Sequence, residues 1–107
     1  MLSALRTALL GIHRSQKGIQ VAADNIANVN TDGYRSRRYD AGADTVEIRD
    51  PDAPLESDPR GEIAVNDVDL AREIIEMKTH EHALKANVTA AKIADETTGT
   101  LLDLLAD

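Results

Sequence analysis

Few residues in this chain have the types and spacing to do chemistry, and their arrangement argues against most of it. His80-Glu81-His82, with Glu73 and Glu76 shortly before, is the one cluster of metal-ligand character. Glu73, Glu76 and His80 recur at i, i+3 and i+7, so a helix would put them on one face, as in the carboxylate sites of helical bundles. His80 and His82 are two apart and would point to different sides, and the H-E-x-x-H spacing is missing. The expectation is solvated helix polarity, with no metal and no cofactor. Ser3, Ser15, Ser36 and Ser57 have no base at a useful spacing, and the glycines form no phosphate-cradling run. Cysteine is absent, which removes thiol nucleophiles, disulfides and cysteine-zinc sites together. No catalytic residue and no small-molecule substrate are expected.

What remains is a question of packing. At 107 residues there is room for one small domain. Two tyrosines and no Phe or Trp rule out an aromatic-centred core, so burial must come from Ala, Leu, Ile and Val. The net charge of -7 is unevenly placed. Residues 1–39 hold six Lys/Arg against two Asp/Glu, residues 40–69 two against ten, and residues 70–107 four against seven. A basic start and an acidic remainder suit attraction between segments or subunits. No basic groove with aromatic stacking platforms is visible, so nucleic acid is not an expected partner. The apolar first dozen residues are interrupted by Arg6 and His13 and are followed by no A-x-A-like cleavage site, so they read as helix. No stretch is long enough to span a bilayer.

Three segments are expected, residues 1–30, 31–66 and 67–107. From Leu2 to about Asn28, Leu2, Leu5, Leu9, Ile12, Gln16, Ile19, Ala23 and Ile26 step alternately by 3 and 4, the pattern of a helix packed along one seam. Ser3 is placed to cap its start, and Gly11 and Gly18 mark a side open to close approach. From about Asp67 to Leu105 a second seam runs through Leu70, Ile74, Met77, Glu81, Leu84, Val88, Ala91, Asp95, Thr98, Leu102 and Leu105. Asn66 or Asp67 is placed to cap it. The packing and assembly residues expected from these two seams are Leu5, Leu9, Ile12, Ile19, Ile26, Leu70, Ile74, Met77, Leu84, Val88 and Leu102. The middle holds all three prolines and is either an acidic loop or a small hairpin, Thr45–Arg49 alternating like a strand with Glu62–Val65 as its expected partner. The fold class is therefore mainly α, two long terminal helices in a coiled-coil-like antiparallel hairpin with a short loop or β-hairpin between them. Two helices leave much apolar surface wet, so such a chain should associate further.

The first helix runs out through Asn25-Ile26-Ala27-Asn28-Val29-Asn30-Thr31-Asp32-Gly33-Tyr34-Arg35. This resembles the N-terminal signature of the bacterial flagellar rod and hook proteins, N-I-A-N-x-x-T-x-G-Y-[KR], with Asp32 where proline is usual. Val68–Glu73, Ala83-Leu84-Lys85-Ala86-Asn87 and Leu101-Leu102 resemble the C-terminal helix of the same family, with Leu84 at a position usually aromatic. The short middle is most like that of the short proximal-rod subunits of the C type. The motif residues carried over are Asn25, Ile26, Ala27, Asn28, Asn30, Thr31, Gly33, Tyr34, Ala86 and Asn87.

The resemblance implies a structural subunit of the flagellar basal body, in the periplasm-spanning rod. It implies homo- and hetero-oligomeric contacts with other rod proteins, and export by the flagellar type III apparatus without a cleaved signal peptide. Three alternatives stand beside it: a divergent rod paralogue, a generic helical-hairpin adaptor that binds a partner helix, and a small metal-dependent enzyme on a helical bundle. The adaptor would explain the seams but not the two terminal motifs.

Overall fold

In a computed structural model that describes residues 2–52 and 66–106, helix α1 (Leu2–Ala27) and helix α2 (Leu70–Ala106) lie antiparallel along each other. Between them in sequence, strands β1 (Arg37–Asp40) and β2 (Thr45–Ile48) form a two-stranded antiparallel hairpin. The molecule is a thin rod of 78 × 21 × 14 Å, and the expected fold class is what is found.

The α1 side of the seam that joins the helices is made of small residues. On α1 the buried line is Ala8, Ser15, Gly18, Ala22 and Asn25, with half-buried Gly11 completing steps of 3 and 4. The facing line on α2 runs through buried Glu73 and Ala94 and half-buried Met77, His80, Leu84, Asn87, Ala91 and Thr98. Two glycines fix the register. A Cβ on Gly11 would fall 2.6 Å from the Asn87 amide, and one on Gly18 would fall 2.5 Å from the His80 ring. Seven residues along one helix thus match seven back along the other. Carrying the register nine residues further puts Leu2 level with Glu96, so residues 97–106 run past the start of α1 by about 15 Å.

Both glycines forgo roughly 1 kcal/mol of helix propensity for that approach. They differ in what they admit. Asn87 is a flexible amide that only donates back to the Ala83 carbonyl, at 2.9 Å. His80 is held edge-on to Tyr39, with ring centroids 6.4 Å apart. Gly18→Leu should therefore destabilise the hairpin by about 2–3 kcal/mol through overpacking, whereas Gly11→Ala should change stability by less than about 1 kcal/mol. Urea unfolding followed by circular dichroism separates the two.

The hairpin differs from expectation in its partner. Thr45–Ile48 is a strand, but it pairs with Arg37–Asp40 in the register Arg37↔Ile48 to Asp40↔Thr45. Glu62–Val65 lies outside the described residues. The local pairing is closed by Asp40, whose Oδ1 accepts from the Gly42 N–H at 2.9 Å and the Ala43 N–H at 3.2 Å. Asp44 completes the reversal at φ 56°, a left-handed conformation that Asp tolerates better than most residues. A four-residue turn carries a much smaller loop-closure penalty than a connection through the proline-rich stretch.

Two caps also differ. Ser3 lies inside α1, where its carbonyl accepts from the Thr7 hydroxyl at 3.0 Å. Asp69, not Asn66 or Asp67, caps α2, its Oδ1 accepting from the Arg72 N–H at 3.2 Å.

Candidate functional site

The lower end of the rod, where α1 stops and α2 starts, is held by a polar clamp. Asn25 is fully buried at the last turn of α1. Its Oδ1 accepts from the Arg37 N–H at 3.0 Å and from the Tyr34 hydroxyl at 2.9 Å, while its Nδ2 donates to the Arg37 carbonyl at 2.7 Å. One amide side chain thus pairs with both backbone groups of a β1 residue, as a neighbouring strand would. Burial pushes the Tyr34 phenol above its usual range.

The rest of the motif ends the helix. Asn28 Nδ2 donates to the Asp24 carbonyl at 2.8 Å, Thr31 Oγ1 donates to Asn28 Oδ1 at 2.9 Å, and Gly33 takes φ 71° where the chain turns back. Ala27 and Asn30 are exposed and Ile26 is half-buried. Asn66, expected as a local cap, instead donates its Nδ2 to the carbonyls of Asn28, Val29 and Thr31, closing the frayed end of α1 from across the chain. Asp67 Oδ1 accepts from the N–H of fully buried Ser36.

Beneath this lies a charge cluster in which Glu73 and Glu76, grouped with His80 by their spacing, pair instead with Arg49, a residue the sequence does not single out. Glu73 is fully buried in the first turn of α2, and its Oε1 accepts from Arg49 Nη1 at 2.8 Å. Arg49 Nη2 reaches Glu76 at 3.1 Å, so one guanidinium at the end of β2 bridges two carboxylates on α2. Glu73 Oε2 is buried with no hydrogen-bond partner among the described residues. Arg49 also closes the ladder, its N–H donating to the Ser36 carbonyl at 3.0 Å.

Opposite, the hairpin tip is pinned to α1. Lys17 lies 3.3 Å from Asp44, and the Tyr39 hydroxyl donates to Asp44 Oδ1 at 2.6 Å. Desolvation, then the bond to Asp44, pushes the Tyr39 phenol up to about 12 from 10.0. The bond from Tyr39 and then the Lys17 ammonium hold Asp44 below its usual range. The raised phenol contributes stability that is whole below pH 10 and lost as pH climbs toward 12. The depressed carboxyl contributes above its ordinary pKa and is lost as pH falls through its lowered one. In a Tyr34→Phe background, where Tyr39 is the single phenol, the tyrosinate absorbance should titrate near about 12, and Asp44→Asn should lower that midpoint.

None of these clusters resembles a reaction centre. His80 is spent on Gly18 and Tyr39, Glu81 pairs with Lys85 at 3.2 Å, and His82 is exposed. Among the described residues no group of three or more His, Asp or Glu is placed to hold a metal ion, and no helix is long and apolar enough to cross a membrane.

The large apolar residues of the expected seams are placed differently from one another. Leu5, Ile12, Ile19 and Ile26 flank the helix contact half-buried, while Met77 and Leu84, also half-buried, lie on the α2 line that faces α1. Leu9, Leu70, Ile74, Val88 and Leu102 are exposed. Of the motif residues on α2, Asn87 faces Gly11 and Ala86 is exposed. The hairpin therefore closes on the small side chains of α1 and turns many of its large ones outward.

Residues 5–35 match the family model described as Flagella basal body rod protein. The matched span starts within α1, takes in the buried Asn25 and ends at Arg35, just past Tyr34 and one residue before Ser36. The match supports the flagellar basal-body rod family and, with it, a structural role at the flagellum. No curated protein matches the chain at a significant level.

Proposed function

We propose that this chain is a structural subunit of the bacterial flagellar basal-body rod that polymerises through its N- and C-terminal helices and carries out no reaction. The observation that carries the reading is the division of labour between side chains. Small residues of α1 close the hairpin, while Leu9, Ile74, Val88 and Leu102 stand exposed on a molecule only 14 Å across its thinnest dimension. Exposed apolar side chains along a thin rod are stable only when neighbours cover them. The neighbours proposed are further copies and other rod proteins.

A place in the proximal rod, as a C-type subunit or a paralogue of it, is part of the proposal and rests on the short middle segment. Export in an unfolded state by the flagellar apparatus is also part of it. The fully buried apolar set among the described residues is only Ala8, Val21, Ala22 and Ala94, so little core opposes unfolding before export.

Deletion in the parent bacterium followed by electron microscopy of basal bodies tests the reading. The expected result is loss of motility with incomplete rods, restored by the gene supplied in trans. Rotating flagella on complete rods would overturn it.

A further inference from the structure

We infer that Asp32–Gly33 is a site of spontaneous aspartyl isomerisation, and that the isoaspartyl product loosens the polar clamp at the lower end of the rod. The inference rests on the turn after α1 and is independent of the rod reading above.

Asp32–Gly33 is the one Asp-Gly step in the chain, and no Asn-Gly step occurs. Both residues are exposed. Among the described residues the Asp32 carboxylate has no partner and the Gly33 N–H no acceptor. The turn is held by one hydrogen bond, from the Tyr34 N–H to the Thr31 carbonyl at 3.2 Å, with Gly33 at φ 71°. A Cβ on Gly33 would meet nothing within 4 Å, so the turn stands clear of the rest of the molecule. A type II turn of this kind brings the Gly33 nitrogen to the Asp32 carboxyl only when the bond from Asp32 Cα to its carbonyl carbon rotates. One long surface hydrogen bond is a weak restraint on that rotation, and glycine has no side chain to obstruct it.

The other aspartates lack one of these conditions. Asp40 and Asp44 are occupied by hydrogen bonds and precede Ala41 and Thr45. Asp24, Asp95 and Asp103 precede residues inside helices. Asp50 precedes Pro51, which has no N–H.

The reaction is a dehydration followed by a hydration. The Gly33 nitrogen gives its proton to water and attacks the side-chain carboxyl carbon of Asp32. A C–N bond forms, the C–OH bond breaks, and one water leaves a five-membered succinimide. Water then adds to either ring carbonyl. Opening at the side-chain carbonyl restores aspartate. Opening at the main-chain carbonyl breaks its bond to the Gly33 nitrogen, and the chain then runs through the Asp32 side chain. Nothing is oxidised or reduced.

The product adds one methylene to the main chain between two contacts that tie the end of α1 to the start of α2. Before the turn, the Thr31 carbonyl accepts from Asn66 Nδ2 at 3.0 Å. After it, the Tyr34 carbonyl accepts from the Asp67 N–H at 3.3 Å, and the Tyr34 hydroxyl donates to Asn25. Lengthening the chain between them shifts one contact against the other.

The test incubates the full, folded chain at neutral pH for weeks and labels it with protein isoaspartyl methyltransferase and radioactive S-adenosylmethionine. Label should accumulate in the parent on the peptide holding residues 32 and 33. Asp32→Glu should lose it, because its ring closure is larger and slower. Asp32→Asn should gain it severalfold faster, ammonia leaving more readily than water. In the incubated parent, amide exchange at the Asp67 N–H should speed up in proportion to label, and in incubated Asp32→Glu it should not change. No label, label as strong in Asp32→Glu, an Asp32→Asn rate no higher than the parent's, or label confined to chain unfolded in urea would each overturn the site. Label without faster exchange at Asp67 would overturn the loosening.

Discussion

Arg49→Met should destabilise the fold by about 3 kcal/mol, the largest effect expected of any single substitution outside the helix seam. The reason is the carboxylate left behind. Glu73 is completely buried, its Oε2 already lacks a partner among the described residues, and the Arg49 guanidinium at 2.8 Å is the counter-charge that the structure gives its Oε1. Removing one member of a buried pair strands the other in a poorly solvated place, a heavier penalty than the pair's own net attraction. Glu76 is half-exposed and regains water when Arg49 goes, so it adds little. Pairing Arg49→Met with Glu73→Leu should recover most of the loss, since no charge then remains buried. Urea unfolding of the three variants tests this. If the double variant is less stable than Arg49→Met alone, the cluster acts through its shape and the electrostatic account fails.

Asn25→Leu should cost about 2–4 kcal/mol, and its effect should be concentrated where β1 meets the end of α1. The substitution keeps the number of heavy atoms but adds bulk at a fully buried site, so some overpacking adds to the loss of polar contacts. It removes three hydrogen bonds at once and leaves the N–H and carbonyl of Arg37 and the Tyr34 hydroxyl to find other partners. Tyr34→Phe loses one of those bonds and should cost about 1 kcal/mol. Amide exchange gives the local readout. The Arg37 N–H should lose protection in Asn25→Leu and keep it in Tyr34→Phe. Equal losses in both would mean that the amide does not hold the strand.

These two positions also show where the sequence was informative and where it was not. The helices were legible because steps of 3 and 4 persist over many turns, and the turn after α1 was legible because Asn28, Thr31 and Gly33 end helices by local chemistry. Asn25 sits in the same motif and reads as one more helix-ending residue, yet it acts over twelve positions on Arg37. Asn66 and Asp67 mislead for a similar reason. A polar pair just ahead of a helix has the composition of a cap, and only the fold shows that their side chains reach back to α1 and Ser36.

The seam was the more instructive difference. α1 carries two stripes with the same 3-and-4 spacing, one through Leu9, Ile12 and Ile19 and another, one residue earlier, through Ala8, Gly11, Ser15, Gly18 and Ala22. A periodicity argument ranks them by hydrophobicity and selects the larger residues. The fold ranks them by approach, and close approach favours the small ones. Gly11 and Gly18, set among the small residues and facing Asn87 and His80 of α2, were the signal that distinguished the stripes. The strand Arg37–Asp40 carried no such signal, because Arg-Arg-Tyr-Asp lacks apolar alternation and forms only because Asp40 and Asp44 turn the chain back on it.

Above all, this chain is expected to be built into the flagellar rod. Immunogold labelling of purified basal bodies, with an epitope inserted in sequence between residues 53 and 65, is the measurement that decides it. Label on the rod that survives extraction of loosely bound protein is expected. Label absent from complete rods, with the chain recovered only in the soluble fraction of flagellated cells, would contradict it.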